Sequence, residues 1–443
     1  MNLPAQWDWY YDGMIVLAGV LCAVAASLPG NFLVLRRISL LGDAVSHAVL
    51  PGIAAAFLIT HSRSGFAVLP GAVLAGLLTA VLTEWIRDTG KVDEGASMGV
   101  AFTTLFALGL VLIVQAADSV DLDPGCVLYG ILEATPLETV TVGALEIPRV
   151  VLMLGGVVLI NAVFIVLFFK ELLISSFDPG LATTEGFHAR ILHYLLMVLV
   201  AVTAVASFEA AGNILVVAMF IVPPATAMLL TTRLSRMILL SAAIAALSAV
   251  LGHVSALTVP VLFGFRSTST AGMMTLCAGL LFFVAALFSP QTGVVVTWAR
   301  RQRLAMRILS EDLIALLFRL EERAPRQTVL PGTLSRGLLT SLMLTRIAIA
   351  RQKLRGFVRT TEQGIQLTEA GRQAAAALVR SHRLWENYLV TEGIHLDGIH
   401  RQAETLEHFT DRALRDRLQT QGSLADIDPH GSPIPEETID PPR

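Results

Sequence analysis

Charge is scarce in the first two-thirds of this 443-residue chain. Residues 1–299 hold 11 Lys/Arg and 17 Asp/Glu, whereas residues 300–443 hold 21 and 18. So little charge over so long a stretch excludes an ordinary soluble domain there. Cysteine is scarce too. Cys22, Cys126 and Cys277 are scattered, form no CxxC pair and imply no disulfide framework. No G-x-x-x-x-G-K-[ST] phosphate loop is present. Only Gly90–Lys91 comes close, and Trp85 stands five residues before that glycine. The chain is therefore not expected to hydrolyse a nucleotide. Short alternating strands are lacking, which excludes a transmembrane β-barrel. The opening MNLPAQWDWYYDG lacks the basic residues of a signal peptide. Acidic and aromatic, it reads as an interfacial belt before a retained helix.

What is present is apolar. Hydrophobic residues make up 54% of the chain, with a mean hydropathy of +0.67. Runs of about 20 apolar residues are long enough to cross a hydrocarbon core of about 30 Å. The pattern predicts nine spans: 14–35, 40–60, 66–86, 96–117, 149–169, 191–208, 213–231, 237–257 and 271–288. Eight spans result if one run is re-entrant. Arg36/Arg37, Arg87/Lys91, Lys170 with Arg190, Arg233/Arg236 and Arg300/Arg301 fall on one side. The other side holds the acidic DSVDLDPG and the isolated Arg63, Arg149 and Arg266. The positive-inside rule makes the first side cytoplasmic, which places the N-terminus outside and the last third of the chain in the cytoplasm.

Three stretches of this region carry unusual residues. SLLGDAVSHAVLPG sets Asp43 and His47 four apart, on one face of a helix. An ionisable pair inside a span faces a bundle interior or a path. Its oxygen and nitrogen donors suit Mn, Fe or Zn ions, and they equally suit a hydrogen bond pinning two helices. Pro51–Gly52, one turn on, can bend the helix beside them. FIVPPATAM places Pro223 and Pro224 in mid-span, where paired prolines are expected to break the helix, as a packing kink or as a break lining a pathway. SFDPGLATTEGFHAR reads as a short cytoplasmic helix capped by Asp178, with Pro179 in its first turn and Gly186 at its end.

LRRISLLGDAVSHAVLPGIA, SFDPGLATTEGF and FIVPPATAM, in that order, resemble signatures of the manganese/zinc/iron ABC-transporter permeases, the ABC-3 family. The resemblance covers about residues 1–290. It implies a type II importer fold, working as a homodimer or with a second permease. It also implies an ATPase docked at Asp178–Gly186 and an external protein that delivers the metal ion. In that family the Asp and His of the first motif line the path, which carries over to Asp43 and His47. The resemblance also implies a bacterial-type cytoplasmic membrane.

The last third is soluble in character. SEDLIALLFRLEER reads as an amphipathic helix with Ser310 as N-cap. A second helix stops at Gly356, and FVRTTEQGIQLTEAG looks like a two-stranded wing. Helix–helix–wing order indicates a winged helix-turn-helix. Residues 319–359 carry nine Lys/Arg against two acids, and Arg346, Arg351, Lys353 and Arg355 are the candidate DNA contacts. A solvated face near anionic lipid explains the same charge. Helical patterns resume at 366–390 and 397–419. His400, Glu404, Glu407 and His408 then fall on one helix face, and His382 and Glu386 form an i, i+4 pair on the preceding helix.

LTEAGRQAAAALVRSHRLWENYLV, IHRQAETLEHFTDRAL and DPHGSPIP resemble the metal-dependent repressors of the diphtheria toxin repressor and manganese repressor type, over about 305–435. The resemblance implies metal ligands at His382, Glu386, His400, Glu404, Glu407 and His408. Asp312 matches a further manganese-type ligand. Ala315 stands where the neighbouring carboxylate is expected, and Glu404 where iron-type members have cysteine. A donor set without thiolate leans toward Mn²⁺ or Fe²⁺ over a thiolate-rich Zn²⁺ site.

The expected fold is therefore an all-α polytopic permease domain of eight or nine spans, followed by a cytoplasmic winged helix and a helical metal-binding and dimerisation region. The boundaries are 1–292 for the permease, 293–308 for a linker, 309–372 for the winged helix and 373–435 for the metal-binding region. A disordered end is expected at 436–443. Three functions follow for the tail. It senses metal and feeds back on transport, it binds DNA in a metal-dependent way after proteolytic release, or it only dimerises.

Overall fold

The structure, a computed structural model, describes residues 7–38, 41–60, 65–117, 132–142, 145–265, 268–325, 328–421 and 426–436. The acidic loop at 118–123 and the C-terminal end from 437 lie outside the described residues. The chain divides into two compact units, Met1–Val296 and Thr297–Arg443.

The first unit begins with α1 (Tyr11–Leu35), α2 (Leu41–Ala48), α3 (Leu50–Thr60), α4 (Gly65–Gly90) and α5 (Glu94–Ala117). A 3₁₀ turn (Leu132–Leu137) and an antiparallel hairpin, β1 (Thr139–Val142) with β2 (Leu145–Pro148), follow. Then come α6 (Arg149–Leu167), α7 (Phe169–Phe177), α8 (Pro179–Thr184), α9 (Ala189–Leu230), α10 (Leu234–Leu262) and α11 (Thr270–Phe288). Seven stretches among the described residues are long and apolar enough to span a bilayer: α1, α6, α10, α11, Gly95–Leu112 of α5, and Ala189–Phe208 and Ala210–Leu230 of α9. The 26-residue α4 and the pair α2–α3 occupy the two other expected spans.

The span expected at 40–60 is two short helices that part at Val49. Pro51 has no N–H to give the His47 carbonyl, and its ring crowds that oxygen, so the ladder stops there.

In α9 the break lies at Gly212, with φ 74° and ψ 168°. Those dihedrals are open essentially to glycine alone. The break expected at Pro223 and Pro224 is corrected, because the helix runs through both. Pro224 leaves the Phe220 carbonyl without a helical donor, and that oxygen faces α1 at Gly30. A Cβ on Gly30 would stand 2.2 Å from it. The prolines thus accompany a close helix crossing instead of a break.

The core of this unit lies where α1 packs along α9 and α10, with α11 against α10. Small buried residues such as Ala18, Ala26, Ala201, Ala204, Ala245 and Ala278 let the backbones approach. Side-chain bonds join the helices. Asn31 Nδ2 donates to Ser241 Oγ at 2.8 Å, and Asn161 Nδ2 donates to Thr203 Oγ1 at 3.0 Å.

The second unit takes in most of α12 (Val294–Arg323), then α13 (Pro331–Gly337), α14 (Leu342–Leu354), β3 (Val358–Thr361) and β4 (Gly364–Leu367). It ends with α15 (Glu369–Thr391), α16 (Leu396–Leu406), a 3₁₀ turn (Glu407–Phe409) and α17 (Arg412–Gln421). The expected linker is helical, since α12 starts at Val294. Ser310 therefore lies inside the helix and its Oγ donates to the Met306 carbonyl at 2.6 Å, which corrects its reading as an N-cap. Ser341 and Thr368 cap α14 and α15 through the amides of Leu344 and Gly371. The strands pair antiparallel from Val358↔Leu367 to Thr361↔Gly364, forming the wing. Leu313, Leu317, Leu334, Ile349, Val358, Ile365 and Leu367 fill this unit's core.

Candidate metal sites

In the first unit, α2 holds Asp43 and His47 one turn apart, with His47 Nε2 at 3.5 Å from Asp43 Oδ1. Both side chains are half-buried, 42% and 28% exposed. The His47 ring meets Phe106 edge-on at 5.5 Å between centroids. α2 packs on α4, α5 and α9, so the pair sits within the helical unit without being fully covered by it. An acid–imidazole pair beside an aromatic ring offers oxygen and nitrogen donors that suit a divalent ion.

A second acid–imidazole pair escaped the sequence reading. His253 Nε2 lies 3.0 Å from Asp12 Oδ1, and His253 Nδ1 lies 3.3 Å from Thr270 Oγ1. The partners are 241 positions apart, so no local spacing signals them.

The short helix α8 has the caps read from its sequence. Asp178 Oδ1 accepts from the Leu181 amide at 2.9 Å, Pro179 opens the helix, and Gly186 follows it at φ +88°.

In the second unit the structure gathers two donor clusters. The first joins His382 and Glu386 of α15 to His400 of α16. His382 Nε2 is 3.1 Å from both Glu386 Oε1 and His400 Nδ1, and His400 Nδ1 is 2.9 Å from Glu386 Oε1. His430 approaches from the C-terminal segment, with Nε2 at 3.5 Å from Glu386 Oε1. The second joins Asp312 of α12 to Glu407 and His408. His408 Nε2 is 3.1 Å from Asp312 Oδ1 and 3.8 Å from Glu407 Oε1.

The single face expected for His400, Glu404, Glu407 and His408 is corrected. α16 ends at Leu406, and Glu407 and His408 lie in the 3₁₀ turn. There His408 faces Glu311 and Asp312 of α12, Glu407 lies between it and His382 of α15, and His400 stays with α15. Glu404 is exposed and joins neither cluster. Sequence reasoning missed Glu311, whose Oε2 lies 2.9 Å from His408 Nδ1, and it missed His430. Glu311 precedes Asp312, but only the fold brings it to His408.

The second cluster fits a metal ion. His408 is buried, and its Nε2 has no aligned hydrogen-bond partner although Asp312 and Glu407 flank it. Glu311 holds the other ring nitrogen, the arrangement in which a carboxylate orients a ligating imidazole. Burial opposes charge on His408, but the Asp312 carboxylate beside Nε2 and the Glu311 carboxylate bound at Nδ1 raise it to about 10. Burial likewise opposes ionisation of Glu386, but the His382 and His400 bonds hold it at about 2. His382 is raised against burial by Glu386 and Glu407. Both clusters offer oxygen and nitrogen donors without thiolate.

Of the candidate DNA contacts, Arg346 and Lys353 are exposed on α14, Arg351 is half-buried, and Arg355 is exposed just past the helix end.

A bundle of apolar helices with a half-buried Asp–His pair, continued by a winged helix and clustered histidines and carboxylates, defines a multi-pass permease with a metalloregulator-like tail. The chain belongs to the ABC 3 transport family, which matches residues 12–289. Residues 368–436 match the iron dependent repressor, metal binding and dimerisation domain. It is similar to the manganese transport system membrane protein MntD of Bacillus subtilis (strain 168), at 43% identity over 64% of this chain and 94% of that one. It is similar to the zinc transport system membrane protein TroD of Treponema pallidum (strain Nichols), at 36% identity over 71% of this chain and 83% of that one. Among solved structures it resembles PsaBC from Streptococcus pneumoniae in complex with Fab, at 31% identity and a TM-score of 0.52, covering 65% of this chain and 94% of that one.

Proposed function

We propose that the chain is the membrane subunit of an ABC importer for divalent transition-metal ions and that its cytoplasmic tail senses the same ions. The observation that carries the transport reading is the Asp43–His47 pair, half-buried and 3.5 Å apart, in a family-matched permease unit. These side chains contact the cargo ion in the path. A separate ATPase supplies the energy, since the sequence carries no phosphate loop, and it docks at the capped helix Asp178–Gly186. An extracytoplasmic protein hands over the ion, and a second permease, identical or related, completes the pathway.

Manganese is the favoured cargo. The donors lack thiolate, and relatives whose names specify manganese and zinc both match. In the tail, Mn²⁺, Fe²⁺ or Zn²⁺ joins Asp312, Glu407 and His408, and a second ion joins His382, Glu386 and His400. Occupancy at high cytoplasmic metal slows import. Metal-dependent DNA binding by the winged helix is the competing role.

The test is ATP-driven uptake by proteoliposomes holding the assembled transporter. Asp43→Ala and His47→Ala are expected to reduce uptake to background with the ATPase still bound. Uptake at the unsubstituted rate would contradict the assignment.

A further inference from the structure

The helix that a winged-helix protein offers to DNA is, in this chain, apolar on its outer face. α14 buries its uncharged polar residues: Thr345 and Gln352 are fully covered. It exposes Met343 (74%), Ile347 (43%) and Leu354 (90%), spaced along one side. Leu339, in the turn leading into the helix, is 94% exposed. None of these four side chains carries a donor or acceptor for a base edge, which leaves hydrogen-bonded readout on this face to Arg346 and Lys353. Water is equally unfavourable for them, since their apolar surface is left uncovered. Arg346 and Lys353 are exposed beside the stripe.

On a helix whose other face is held by core residues such as Ala348 and Ile349, an outer apolar stripe edged by cations suits the boundary between headgroups and acyl chains. Charge complementarity selects the lipid. The basic excess of residues 319–359 suits anionic headgroups, whose potential decays within a Debye length. The attachment to a membrane unit selects it again. The last spanning helix ends at Phe288, so 53 residues lie between it and Leu342 at the start of α14. The start of α12 carries the same signature, with Val294 and Trp298 exposed at 63% and 62% ahead of Arg300, Arg301 and Arg303.

We propose that the outer face of α14, with Leu339 at its leading turn, docks on a membrane surface of anionic headgroups. The four apolar side chains enter the headgroup–acyl boundary, and Arg346 and Lys353 meet phosphates. The winged helix then acts as a membrane-surface module.

The experiment follows hydrogen exchange over residues 338–354 in the full chain, reconstituted in phosphatidylglycerol or phosphatidylcholine nanodiscs. Exchange is expected to slow about tenfold in the anionic discs, with α15 unchanged as internal reference. Raised salt should shrink the difference. Met343→Glu and Arg346→Glu should each remove it without altering α15, whereas Met343→Leu should keep it. Equal rates in the two lipids, or a difference that survives both charge-changing variants, overturn the proposal. Protection gained in phosphatidylcholine discs only on adding duplex DNA overturns it in favour of nucleic acid. Protection that grows with protein concentration in detergent overturns it in favour of a second copy of the chain.

Discussion

His382 Nδ1 lies 2.6 Å from Glu407 Oε2, and the other oxygen of that carboxylate lies 3.8 Å from His408 Nε2. One glutamate thus touches both donor clusters. If metal fills both clusters, Glu407 would be a ligand in the second and would orient His382 in the first, as outer-shell carboxylates do. Glu407→Gln is expected to weaken binding at both clusters, by roughly 10–100-fold each. Calorimetric titration of the detergent-solubilised chain with Mn²⁺ reads both steps. A change in one step alone would show that the clusters are independent.

Glu404→Gln serves as the contrasting variant. Glu404 is exposed and outside both clusters, so the titration should match that of the parent chain. A large loss of affinity would mean that α16 extends further when metal binds.

Metal binding in the tail should depend steeply on pH. His408 is held protonated, because the Asp312 and Glu311 carboxylates flanking its ring outweigh burial and raise it to about 10. A group raised in the folded state stabilises that state fully below its unfolded value of about 6.5, and the contribution is lost as pH climbs through about 10. An ion that takes His408 Nε2 must first displace this proton. Between about pH 6 and 8, apparent affinity should rise about tenfold per unit for each proton released. Calorimetry in two buffers of different ionisation enthalpy counts those protons. A pH-independent affinity would contradict the ligand role of His408.

Gly30 and Phe220 set the distance between α1 and α9. Gly30→Ala places a methyl 2.2 Å from the Phe220 carbonyl oxygen, so the helices must part. A loss of about 1–3 kcal/mol is expected, the usual cost of overpacking, with a lower thermal midpoint in detergent. An unchanged midpoint would show that the crossing relaxes freely.

Periodicity made much of this fold legible, because long apolar runs and local caps are short-range signals. Asp178, Gly186 and the wing at 358–367 each declare themselves within a few residues. The positions that misled are those where the partner decides. Proline at 223 and 224 predicts a break, but Gly30 on another helix shelters the freed carbonyl and Gly212 takes the kink instead. The i, i+4 spacing put Glu404 with His400. A helix end at Leu406 cannot be read from that spacing, and it redistributes the donors. Glu311, His430 and the Asp12–His253 pair depend on contacts across tens to hundreds of residues.

Uptake rate against internal metal concentration bears most directly on the joint transport-and-sensing reading. Proteoliposomes with the ATPase are loaded with graded Mn²⁺ and supplied with external labelled Mn²⁺. The parent chain should slow as internal metal rises, His408→Ala should transport at a rate independent of it, and Asp43→Ala should not transport at any loading. A His408→Ala curve that superimposes on the parent's, or sustained uptake by Asp43→Ala, would contradict the assignment of these residues to sensing and to passage.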